Sequence, residues 1–108
     1  MTLPILRTIT LFQGATSQVE LDLSDWDMSV GTCLFTAKHL VTGEIIKQVE
    51  FTEAGVHILE FKDDETVNLE VGTSYAYDIM LLIGEERYPQ CAVSKIEVKK
   101  VVGAYAEN

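Results

Sequence analysis

The stretch from 72 to 98, GTSYAYDIMLLIGEERYPQCAVSKIEV, constrains the fold more than any other part of the chain. Tyr75, Tyr77, Ile79, Leu81 and Ile83 fall at alternate positions. Strand side chains repeat every two residues, so these five share one face. Gly84-Glu85-Glu86 supplies a short polar break with a glycine, the chemistry of a hairpin loop, and residues 87–98 return. The stretch predicts a β-hairpin in the middle of a sheet. Asp78 falls on the opposite face with Ala76 and Met80. A carboxylate is costly there if buried alone. A solvated edge or bonds from backbone amides are therefore expected around it.

The rest of the chain keeps the same period. In residues 5–12, Ile9 and Leu11 share one face, and Thr8, Thr10 and Phe12 the other. In residues 16–23, Ser17, Val19, Leu21 and Leu23 oppose Thr16, Gln18, Glu20 and Asp22, one face for a core and one for water, as in antiparallel sheets. Residues 30–38 put Cys33, Phe35 and Ala37 together. In residues 44–51, Ile45, Lys47, Val49 and Phe51 alternate with Ile46, Gln48 and Glu50. Residues 56–62 are largely apolar on both faces. Alternation stops at the acidic run Asp63-Asp64-Glu65. One short helical turn near 63–68 suits it, with an aspartate at the start facing free amides and Leu69 pinning the crossover to the core.

Glycines at 31, 43, 55, 72 and 84 punctuate these segments at short, regular intervals. No long helical pattern occurs, so no βαβ unit is present. The chain reads as all-β, an immunoglobulin-like antiparallel β-sandwich of about seven strands, with a small barrel as the alternative. The Cys, Trp, Cys order of antibody domains fails, because Trp26 precedes Cys33.

At 108 residues the chain is read as one domain, 1–108, with short arms at 1–6 and 101–108. Seventeen acidic against eight basic residues give a net charge of -9, which repels nucleic acid and anionic membranes. The N-terminus lacks a signal peptide's basic start, apolar run and cleavage site, so synthesis in the cytoplasm is expected. Cys33 and Cys91 then read as buried thiols rather than a disulfide.

No constellation for chemistry emerges. Cys33, His39, His57 and Cys91 lack the short spacings of a closed zinc site. There is no GxSxG elbow and no glycine-rich phosphate loop. Asp22, Asp25 and Asp27 lack the rest of a calcium loop. No catalytic, cofactor or metal residue is expected. Asp25-Trp26-Asp27 reads as a turn, with Trp26 a half-buried lid on the sandwich or an exposed contact. Tyr88 and the apolar end with Val101, Val102 and Tyr105 complete the candidate interaction residues.

The order of elements resembles a known group. "Val-Glu-Leu-Asp-Leu-Ser-Asp-Trp" (19–26) is followed by a hairpin with Thr42-Gly43, then "Gly-Val-His-Ile-Leu-Glu-Phe" (55–61), "Asp-Glu-Thr" (64–66) and "Leu-Glu-Val-Gly-Thr-Ser-Tyr-Ala-Tyr-Asp-Ile" (69–79). This looks like the small immunoglobulin-like domain of tailed-phage structural proteins, typified by the N-terminal domain of baseplate upper proteins. The positions that carry it are Asp22, Leu23, Ser24, Trp26, Thr66, Gly72, Tyr75, Tyr77, Asp78 and Ile79. The resemblance implies a non-enzymatic virion protein of tail, baseplate, connector or head, made in the host cytoplasm. Its partners would be other virion proteins or further copies of itself. Net charge supports a different expectation, a small phage-encoded inhibitor or adaptor that occupies a basic surface on a host protein. A third is carbohydrate binding, with Trp26, Tyr75 or Tyr88 stacking on sugars.

Overall fold

The computed structural model describes residues 7–24 and 31–100. In chain order these form β1 (Ile9–Gln13), β2 (Ser17–Asp22), β3 (Thr32–His39), β4 (Ile45–Phe51), β5 (Val56–Phe61), α1 (Asp63–Thr66), β6 (Gly72–Ile83), β7 (Glu86–Pro89) and β8 (Ser94–Lys100). The large sheet has the order β1-β8-β6-β3-β4, with β7 also paired to β6. The small sheet is β2-β5. Placing β8-β6-β3-β4 opposite β2-β5 gives the immunoglobulin arrangement. So does a tyrosine near the start of β6, since the Tyr75 hydroxyl accepts a hydrogen bond from the Glu70 amide at 2.8 Å. The chain is an all-β immunoglobulin-like sandwich, and the stretch from 72 supplies its central strand.

The alternation settles which side chains fill the core. Leu11, Cys33, Phe35, Ile79, Ile96 and Val98 are buried from the large sheet, and Leu21, Leu59 and Phe61 from the small one. Phe35 joins the two layers. It stacks on Tyr77 at 5.3 Å and meets Phe61 edge-on at 6.5 Å. Each such pair adds about 0.5–1.5 kcal/mol beyond the area it buries. Cys33 and Cys91 are buried and form no disulfide. Burial pushes both thiols up from their ordinary pKa.

Three features depart from the expected pattern. The described residues hold eight strands, because the return of the hairpin is broken at residues 90–93. There Gln90 donates to the Ile79 carbonyl at 2.9 Å, and Cys91 turns into the core. The break lets β7 pair with the far half of β6 and β8 with the near half. The sandwich is also not antiparallel throughout. β1 pairs with β8 in parallel, Ile9 opposite Ile96. The turn after β1, where Gly14 takes φ 81°, hands the chain to the other sheet, so β1 and β2 make no hairpin. Finally, the ladder slips between Ala37 and Lys38, where Lys47 and Ile45 are the successive partners. Ile46 is thereby turned against the core and Ile45 outward, the reverse of strict alternation.

The acidic crossover does form a helical turn, four residues long. Glu65 reaches back to accept from the Lys62 amide at 2.9 Å and takes Lys47 Nζ at 3.0 Å. Leu69 is buried at its end. Thr66 is completely buried. Its hydroxyl donates to the Ala15 carbonyl at 2.9 Å and accepts from the Gly14 amide at 3.1 Å. One side chain thus ties the crossover to the turn that switches sheets.

Candidate functional site

Of the residues singled out for interaction, Trp26, Asp25, Asp27, Val101, Val102 and Tyr105 lie outside the described residues. Tyr88 lies in β7, opposite Leu81, and is 41% exposed. Tyr75 is buried with its hydroxyl committed to Glu70, so it offers no ring face to a sugar. At the end of β2, Ser24 donates to Asp22 Oδ1 from its amide and its hydroxyl. Those two bonds hold the Asp22 carboxyl below its usual range.

Histidine and tyrosine hydrogen bonds go to the scaffold. His39 accepts at Nδ1 from the Val41 and Thr42 amides at 3.1 and 3.2 Å, so its Nε2 carries the proton directed at Glu70, 3.2 Å away. The ring braces the β3–β4 turn. The Tyr77 hydroxyl donates to the Arg7 carbonyl at 2.7 Å. Burial pushes its pKa up to about 12. Among the described residues no group of three or more His, Cys, Asp or Glu converges to hold a metal ion.

Two concave regions stand out among the described residues. A slot of about 460 Å³ runs between β1 and β2, with Thr10 and Glu20 on its walls and Tyr77 and Ile79 reached from inside. It lies where these two strands, in different sheets, leave a gap. The second, about 350 Å³, is a groove on the outer face of the large sheet. Leu34, Ala76 and Met80 line it, and Leu40, Ile45 and Val93 stand exposed around it. Asp78 sits there, mid-sheet and partly exposed, with Lys38 and Arg87 in the same lining. It accepts no hydrogen bond from another described residue, so neither the expected edge position nor the expected amide partners are found.

No sequence motif marks this groove. Its signal was the second face of each alternating segment. Leu34, Ala76 and Met80 are apolar where a wet face would be polar.

The outer face of the small sheet differs in charge. The ladder sets Gln18 opposite Glu60, Glu20 opposite Ile58, and Asp22 opposite Val56. Three of these six outward residues are carboxylates and none is a cation. Val56 and Ile58 are nevertheless more than half exposed.

No protein-family model matches the chain, and no curated protein matches it at a significant level. A solved structure of similar fold is a strand-swapped dimer of the extracellular domain of mouse leukocyte-associated immunoglobulin-like receptor 1. It shares 14% identity at a TM-score of 0.49, covering 89% of this chain and 83% of that one.

Proposed function

We propose that this chain is a non-enzymatic assembly protein of a phage particle, placed in the tail, baseplate, connector or head and acting through protein–protein contacts. The observation that carries contact as its mode of action is exposed apolar surface on the outside of both sheets, at Leu40, Ile45 and Val93 on one and Val56 and Ile58 on the other. Such surface on a small domain marks a place where another protein sits. The phage assignment is supported by the motif order around Asp22 to Trp26 and Tyr75 to Ile79. Thr66 and Tyr75, two of the resembling positions, hold the corners of the sandwich, so that likeness is partly architectural. Mass photometry of the purified protein, alone and with the products of adjacent genes, tests the reading. Entry into a larger particle is expected. A strict monomer that joins none of those products rules it out.

The acidic outer face of the small sheet favours a second reading, an inhibitor or adaptor docked on a basic host protein. Affinity capture from host lysate with wild type and with Glu20→Lys/Glu60→Lys separates the two. This reading requires a basic partner that the variant loses.

A further inference from the structure

We propose that copies of this chain stack head to tail, the outer face of the large sheet of one copy seated on the outer face of the small sheet of the next. The inference rests on the reading that the chain acts by protein contact and names the contact.

The two faces are complementary in charge. On the large sheet, Lys38 and Lys95 lie across Ala76 in the ladder, and Arg87 lies across Leu82. Asp78 stands among them. Glu50, across Leu34, accepts from the Thr32 hydroxyl at 2.6 Å and keeps its charge, and Glu97 beyond the groove is matched by Lys99. In a chain of net charge -9, Lys38, Lys95 and Arg87 here exceed the carboxylates Asp78 and Glu50 by one charge. On the small sheet Glu20, Asp22 and Glu60 have no cation among the outward ladder residues, and Arg7, which lines the slot beside Glu20 and Asp22, is one positive charge against three negative. Apolar groups match as well. Val56 and Ile58 project from the acidic face, and the basic face offers a groove floored by Leu34, Ala76 and Met80.

The alternatives fail on charge. Two large faces would bring together two surfaces of net positive charge, and two small faces carboxylates against carboxylates. Like charges juxtaposed are repelled, whereas large against small pairs opposite potentials around apolar centres. A contact between two different faces does not close on itself as a twofold dimer does. It propagates, giving a ring if the rotation closes and a filament if it does not. The small face is two strands wide, about 10 Å by 20 Å. Each contact is accordingly weak and sensitive to salt, and gains strength only when repeated.

Sedimentation equilibrium on the full chain at low salt, up to about 1 mM, tests this. The average mass is expected to rise with concentration and to fall on adding salt. Lys38→Glu/Lys95→Glu and Glu20→Lys/Glu60→Lys should each weaken association about tenfold or more, with circular dichroism confirming that both fold. An equimolar mixture should recover association, because each variant keeps the face the other has lost. A wild type of constant monomer mass overturns the proposal, and so does a mixture that stays monomeric. A chain that stays monomeric but still enters a particle overturns the stacking alone. One that stacks but joins no particle overturns the phage-assembly reading alone.

Discussion

Thr66 is the residue whose role is clearest. Its hydroxyl is buried with a donor on one side and an acceptor on the other, so replacing it leaves two backbone groups unsatisfied. Thr66→Val, which keeps the shape, should cost about 1–3 kcal/mol in urea unfolding. Asp78 is the opposite case. Lacking a hydrogen-bond partner among the described residues and partly exposed, it should tolerate Ala within about 0.5 kcal/mol. A larger loss would mean that its carboxylate is held in a way the groove does not reveal. Tyr77 adds a dependence on pH. Its folded pKa of about 12 exceeds the ordinary 10.0, chiefly through burial, with the nearby Cys91 adding to the rise. Between those values the native state keeps a proton that the unfolded chain releases. The stabilisation is therefore complete below pH 10.0 and is lost as pH climbs toward 12. Alkaline titration of wild type against Tyr77→Phe should show the variant less stable at neutral pH, having lost the bond to Arg7, but flatter across that window.

Elements show why part of the design was legible in the sequence and part was not. The period of two gave the buried residues of β1, β2, β3 and β6, because every side chain there either enters the core or leaves it. The same rule failed in β4, where a single slipped residue exchanged Ile45 and Ile46. It failed again after Pro89, where a strand-like run is divided so that Cys91 enters the core. Neither break is written in residue type. Opposite both, the neighbouring strand runs on unbroken, β3 to His39 and β6 to Ile83. The candidate interaction surface was hidden for a related reason. Residues from β3, β4, β6 and β7 meet on it only after the sheet has ordered them. Gly31, at the entry to β3, shows how tightly that sheet is assembled. A Cβ there would lie 2.0 Å from the Leu82 carbonyl oxygen. Backbone cannot yield as a side-chain tip can. Gly31→Ala should therefore lower stability by about 1–3 kcal/mol in thermal unfolding and shift amide resonances along the adjoining part of β6.

On the scale of the molecule, protection is uneven. β6 is hydrogen-bonded to β3 on one side and to β7 and β8 on the other, whereas β2 and β5 pair among the described residues only with each other. Opening free energy follows local packing and bonding. Amide hydrogen exchange should be slowest in β6 and β3 and fastest in β2 and β5. Equal protection in the two sheets would contradict this topology. The parallel pairing of β1 with β8 has a further effect, on the order in which the fold can be completed during synthesis. Ile9 and Leu11 are among the first core residues made, yet their ladder partners Ile96 and Val98 are among the last. At a translation rate of roughly 5–20 residues per second, the wait lasts several seconds. Throughout it, an apolar strand with an unfilled edge emerges from the ribosome ahead of everything that will cover it. For this domain, crowding by neighbouring nascent copies is therefore most dangerous at β1, and a chaperone that holds β1 until β8 is made would protect it most.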